Sequence, residues 1–269
     1  MKYVLKKVRA IRIDDIATGK HKATLNDLTQ VQLTTNNDVV YAEGTDGARL
    51  AAYENNKVAT LTATNGTIET EYLALQMGTS VVSVTNGKSI KIRETLTTND
   101  GSTIHLTYQP SGTAGSEIGY IYTTDVNGNP KDAYAQAASA SATAFALTDA
   151  ATGTITLPTG VASIGDSIIV DYYPTFSAYE EIAASVDKYS ETGHVYVDCW
   201  FTDICSQADI PAIIELPRGK ISGNLDLSFG DQVAVQNIEI EALVKNCSND
   251  ERYLWKWYIY DLNDATKTN

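Results

Sequence analysis

The sequence predicts a mainly β protein, an antiparallel β-sandwich or barrel with one main α-helix and additional β hairpins. Three observations carry that expectation. Short runs rich in Thr, Val, Ile and Tyr recur along the chain, with 16 Tyr in all, and these residues suit a pleated, half-buried surface. Asn-Gly, Asp-Gly and related dipeptides separate the runs, as turns between strands require. Helical periodicity is convincing in a single segment.

Taken in order, the first predicted strand is Lys57–Ala63, followed by the turn Asn65-Gly66. The helix is expected over Ile68–Met77. Ile68, Tyr72 and Leu75 share one face, Glu69 and Glu71 suit the positive end of the helix dipole, and Gly78 supplies the stop. Its apolar face needs a sheet to cover it. Next comes the clearest hairpin signal, Val81–Thr85 and Lys88–Ile92 around Asn86-Gly87. A second pair, Leu96–Thr98 and Thr103–Tyr108, flanks Asn99-Asp100-Gly101. Further strands are expected at Ile118–Thr123, Gly153–Leu157, Ser167–Tyr173, Val195–Phe201, Lys220–Ser228, Ile238–Val244 and Leu254–Tyr260. The Ala/Ser-rich stretch Ala133–Phe145 has period two and reads as extended, although Ala favours helix. In Asn237–Val244 the apolar Ile238, Ile240, Ala242 and Val244 alternate with Asn237, Glu239, Glu241 and Leu243, giving a packed face and a wet face.

Composition removes several function classes. A chain of 269 residues is long enough for a sizeable core, and 20% charged residues with 43% hydrophobic ones exclude a disordered polymer. Twenty Lys and Arg against 33 Asp and Glu give a net charge of -13, which argues against affinity for phosphates. No stretch reaches the roughly 18 apolar residues of a membrane span, so no membrane anchor is expected. The start, MKYVLKKVRAIRIDD, lacks the apolar run of a secretory signal. Cys199, Cys205 and Cys247 make an odd count and read as reduced thiols.

Catalytic and metal motifs do not assemble. Gly87-Lys88-Ser89 resembles the end of a phosphate loop, but Val82 stands where that loop needs Gly. His21, His105 and His194 lack metal-ligand spacing with one another, and the intervals from His194 to Cys199 and Cys205 are wrong for a zinc knuckle. Asp14-Asp15 and Asp125-x-Asn127-x-Asn129 hint at calcium, but Pro130 and Gln136 replace the Gly and the acid such a loop needs. Trp200, Trp255 and Trp257 are candidates for a sugar platform or for plain packing. We therefore expect no enzyme, no cofactor and no metal.

Two segments resemble the tail tube (major tail) proteins of long-tailed bacteriophages. The first is Glu43-Gly44-Thr45-Asp46-Gly47-Ala48-Arg49-Leu50-Ala51-Ala52-Tyr53, then Lys57-Val58-Ala59-Thr60-Leu61-Thr62, then the helix ending Gln76-Met77-Gly78. The second is Glu215-Leu216-Pro217-Arg218-Gly219-Lys220-Ile221-Ser222-Gly223-Asn224 and Gln236-Asn237-Ile238-Glu239-Ile240-Glu241-Ala242-Leu243, before the aromatic Trp255-Lys256-Trp257-Tyr258-Ile259-Tyr260. The resemblance covers under half of the chain. It implies a tail-tube-like core over 1–80 and 177–269, with 81–176 as a β-hairpin elaboration or an inserted subdomain.

The family implies hexameric rings stacked into a hollow conduit for DNA ejection. It implies partners among the other tail proteins (terminator, tape measure, baseplate or distal tail) and transient, non-specific passage of DNA. The place implied is the virion tail, after synthesis in the bacterial cytoplasm. The segment Thr34–Gly47 is then expected to be a loop hooking a neighbouring subunit or ring through Asn36, Asn37, Asp38, Val39, Val40, Tyr41, Glu43 and Asp46. Asp226, Glu239 and Glu241 are the expected lumen-facing acids. Another phage β-sandwich protein (tail terminator, head or decoration protein) and a carbohydrate-binding adhesin share the same fold class.

Overall fold

The computed structural model describes residues 2–85, 87–225, 235–244 and 252–260. The chain opens with β1 (Tyr3–Asp14), β2 (His21–Leu25), β3 (Leu28–Glu43), β4 (Arg49–Asn65) and α1 (Thr70–Met77). There follow β5 (Val82–Val84), β6 (Lys88–Ser89), β7 (Ile92–Thr97), β8 (Thr103–His105), β9 (Ile118–Thr124), β10 (Pro130–Gln136) and β11 (Ala144–Asp149). Next are β12 (Thr154–Thr156), β13 (Ser167–Tyr172), β14 (Thr175–Phe176) and β15 (Tyr179–Glu181). The chain returns with β16 (Thr192–Asp203), β17 (Asp209–Ile221), β18 (Gln236–Ala242) and β19 (Lys256–Ile259). It is a mainly β protein, with one helix among the described residues, divided into two compact units, Met1–Val82 with Glu181–Asn269, and Ser83–Glu180.

The first unit is an eight-stranded sheet in the order β2-β1-β16-β17-β18-β4-β3, with β19 also pairing β17. The two end strands, β2 and β3, are chain neighbours separated by Asn26-Asp27 alone. Ala23 and Leu25 from one end belong to the same core cluster as Ile11, Ile13, Leu61, Val195, Val197, Leu216 and Ile240, and Leu28, Val31 and Leu33 from the other end pack on it. The sheet therefore curls around a single core. Alternation drives this: every second residue of β18, from Gln236 to Ala242, is buried and every other one is exposed. Gly193 and Gly219 face each other across β16 and β17. A Cβ on Gly219 would lie 2.6 Å from Ile240 Cγ2 and 2.7 Å from Val195 Cγ2, so only Gly permits this closeness.

Helix α1 lies on that core through Tyr72, Ala74, Leu75 and Gln76. It begins at Thr70, later than the periodicity predicts, and Ile68 is 40% exposed rather than on the buried face. The start is fixed from outside the helix. Glu69 makes no side-chain cap, and its backbone N–H donates instead to Gln236 Oε1 at 3.1 Å. Gln236 faces Asn65 across β18 and β4, and Asn65 Nδ2 donates to Thr67 O at 2.8 Å, pinning the turn before the helix. Gly78 ends the helix in the left-handed region, φ +65°, as its sequence position predicts.

The second unit is built on a seven-stranded sheet in the order β7-β13-β9-β10-β11-β12-β8. Again the end strands are chain neighbours. The turn between β7 and β8 is held by Asp100 Oδ1, which accepts from the backbone N–H groups of Ser102 and Thr103, both at 2.7 Å. Those bonds hold the Asp100 carboxyl well below the usual range. Ile104, Ile118, Ile121, Phe145, Ile155, Ile168, Val170 and Tyr172 form a core of their own.

Several local expectations are corrected by longer-range pairing. Val81–Thr85 and Lys88–Ile92 do not make a hairpin: β5 pairs with β15 and β6 with β14, while Asn86 lies outside the described residues. Asn99-Asp100-Gly101 is a turn, yet β7 pairs with β13 and β8 with β12. Ala133–Phe145 is extended at both ends, where β10 and β11 pair in parallel, Ala135 with Ala144. Of the strand expected at Lys220–Ser228, Lys220 and Ile221 lie in β17 and residues 222–225 are in no strand, while residues 226–228 lie outside the described residues.

Candidate assembly surfaces

Thr34–Gly47 is not a loop. Asn36, Asn37, Asp38, Val39, Val40, Tyr41 and Glu43 lie in β3, which pairs with β4 from Asn36 opposite Val58 to Glu43 opposite Arg49. Asp46 sits in the tight turn at the tip, where Gly44 N donates to Ala48 O at 2.8 Å. The physical reason is length. Strand-forming residues continue on both sides of the Gly-rich tip, so the chain zips into a ribbon.

This ribbon forms an arm. Residues 35–58 are exposed almost throughout, on both faces of two strands. Apolar side chains stand out along it: Val39 at 42%, Val40 at 52%, Leu50 at 71% and Tyr53 at 62% exposure. Arg49 stacks 4.0 Å from the ring of Tyr41, and Asn56 Nδ2 donates to Asp38 at 2.9 Å. At its base Trp255 Nε1 donates to Thr35 Oγ1 at 3.0 Å. A lone two-stranded ribbon is marginal in water, and among the described residues this one is left exposed on both faces. Leu50, Tyr53 and Val58 were missed as contact candidates, because the sequence pattern was read as a loop ending before them.

A second surface is polar. Glu239 and Glu241 are exposed on β18, opposite Thr62 and Thr60 of β4, which in turn face Gln32 and Thr34 of β3. Asn237 opposite Thr64 continues the same face. Lys220 opposite Glu241 borders it, with its ammonium hydrogen-bonded to Ser190 O. The third expected acid, Asp226, lies outside the described residues.

Farther round, the outer face of β1, β16 and β17 is a charged network. Arg12 grips Asp198 with two bonds of 2.7 and 2.9 Å, and His194 Nε2 lies 2.8 Å from Glu215. The His194 ring stacks on Tyr196 at 4.4 Å.

The remaining candidates have local partners. Asp125 accepts from the backbone N–H groups of Asn127 and Asn129 at 2.8 Å, which is a self-capped turn. His21 meets Asp14 at 3.0 Å and His105 meets Thr154 at 3.1 Å. Trp200 carries Arg9 at 5.9 Å, whereas Trp257 packs on Phe201 at 4.9 Å on the opposite face of the sheet. Burial pushes the Cys199 thiol up to about 11, so it stays protonated; Cys205 is exposed, and Cys247 is outside the described residues. Among the described residues no His, Cys, Asp and Glu group has a metal-site arrangement, and no helix is long and apolar enough to cross a membrane.

No curated protein matches the chain. A family match does extend over nearly all of it, from residue 3 to residue 254, and the family's name suggests a phage-type tube protein. The chain belongs to the YomU/Tube protein family.

Proposed function

We propose that the chain is the repeating subunit of a phage tail tube, assembling into six-fold rings that stack around a channel for DNA. The observation that carries this reading is the β3–β4 arm, an exposed ribbon with apolar side chains on both faces. Such a surface is stable and soluble only when another molecule covers it, and a second copy of the same chain is always at hand. The role is structural, with no catalysis and no cofactor, and the place is the virion tail.

The same reading gives the β18–β4–β3 face to the lumen. DNA must slide past the wall, and a wall of Thr, Asn, Gln, Glu239 and Glu241 offers phosphates little to neutralise. Electron microscopy of the purified full-length chain tests the proposal. Tubes or six-fold rings are expected, and a protein that remains monomeric at high concentration would rule it out.

A further inference from the structure

Strand β1 has two unlike halves. From Ile11 to Asp14 it is paired on both edges, with β16 and with β2. From Val4 to Arg9 it pairs with β16 alone, and its second edge carries no strand among the described residues. A free edge is a template for another strand. This edge is wet, with Val4 at 54% and Leu5 at 51% exposure.

Its charge is opposite to that of the molecule. Lys2, Lys6, Lys7 and Arg9 fall within one run that contains no acid, in a chain of net charge -13. Lys6 is answered by Asp209, and Arg9 rests 5.9 Å from the Trp200 ring. Lys2 and Lys7 have no carboxylate partner among the described residues. Register shifts between Leu5 and Lys7 and between Val8 and Ala10 roughen the edge. Lysines and bulges repel indiscriminate pairing, but they suit a strand that brings carboxylates.

We propose that this edge is the docking site for the β3–β4 arm of a second copy. Among the described residues the arm's own edges carry no further strand either: β18 covers β4 only from Ala59 onward, and β3 pairs with β4 alone. The arm carries Asp38, Glu43, Asp46 and Glu54, and of its two cations Arg49 is held on Tyr41. Val40, Leu50 and Tyr53 supply apolar area to set against Val4 and Leu5. Arm and edge are different surfaces, so each copy gives one and receives one. Such a heterologous contact closes into a ring or propagates. The inference rests on the tube reading for the existence of assembly and adds the surface that receives the arm.

The test compares wild type with Lys7→Glu/Arg9→Glu, with Asp38→Lys/Glu43→Lys, and with all four changes combined. Microscopy and sedimentation count assemblies, and melting confirms the fold. Each charge-reversed pair should cut assembly about ten-fold or more, and the combination should recover it. If Lys7→Glu/Arg9→Glu unfolds through loss of the Arg9 contact, Lys2→Glu/Lys7→Glu decides, since neither lysine has a carboxylate partner among the described residues. Wild-type tubes with undiminished tubes from the folded β1 variants would overturn the docking site and leave the tube reading standing. A wild type that never assembles would remove both. A duplex DNA gel shift abolished by Lys7→Glu/Arg9→Glu, with tubes unaffected, would make the edge a nucleic-acid contact and overturn the proposal.

Discussion

Single residues show where packing has no slack. Leu75 is 5% exposed beneath α1, and Leu75→Ala should cost roughly 2–5 kcal/mol, read as a lower melting temperature. An unchanged melt would show that the helix is peripheral to the core. Gly219 is a sharper case, because an added methyl meets both Ile240 and Val195 inside normal contact distance. Gly219→Ala should destabilise by roughly 1–3 kcal/mol through overpacking, measured by denaturant midpoint. In the second unit, Asp171 takes two bonds from Arg93, at 2.7 and 2.8 Å, and its carboxyl is held below the ordinary range. A depressed carboxylate stabilises the fold above the unfolded pKa of about 3.9 and loses that contribution as pH falls through the folded value. Melting of Asp171→Asn across an acid series should therefore show a flatter decline than wild type, and an identical decline would mean that the pair contributes nothing.

At the scale of elements, the arm makes the clearest prediction. Thr35 and Ala59 face each other where the arm leaves the body, so Asn36–Val58 can be replaced by Asn-Gly, a two-residue turn that joins opposed strands. The shortened chain should keep its fold and lose assembly. Normal tubes from it would deny the arm any role. How far such elements were legible depended on whether pattern and partner are local. Ile238 to Ala242 declared its buried and exposed faces through period-two alternation, and α1 declared its end through Gly78. The strands β1, β2 and β3 were not legible, because Lys and Arg interrupt the first and polar residues dominate the third. Their pairing is set by β16 and β4, far away in sequence or across the tip. The Asn-Gly signal at 86–87 failed for the same reason, since turn chemistry fixes a bend but not which strands then pair. Of the candidate site, Glu239 and Glu241 were readable as exposed acids, whereas Leu50 and Tyr53 became candidates only once the arm had two strands.

On the proposed tube reading, the governing quantity for the whole molecule is the sign of the surface that DNA would pass. The chain has net charge -13, yet charge is not evenly spread. Cations gather on the first half of β1, and the β18–β4–β3 face pairs two acids with threonines and amides. A channel wall of that kind repels phosphate weakly and binds it nowhere, so transit is limited by friction and drive rather than by release from sites. Glu239→Lys with Glu241→Lys reverses the wall while leaving Ile238, Ile240 and the buried side of β18 untouched. Copies carrying both changes should still fold and assemble, because neither position lies on the arm or on the β1 edge. Virions built from them should eject DNA more slowly or stall. The defect should be largest at low salt, where the Debye length grows to about 30 Å at 0.01 M and each lysine reaches farther into the channel. Ejection timed at two ionic strengths separates the readings. A slow, salt-relieved ejection is the mark of a phosphate-binding wall, and wild-type kinetics at both strengths would place Glu239 and Glu241 on the outside of the tube.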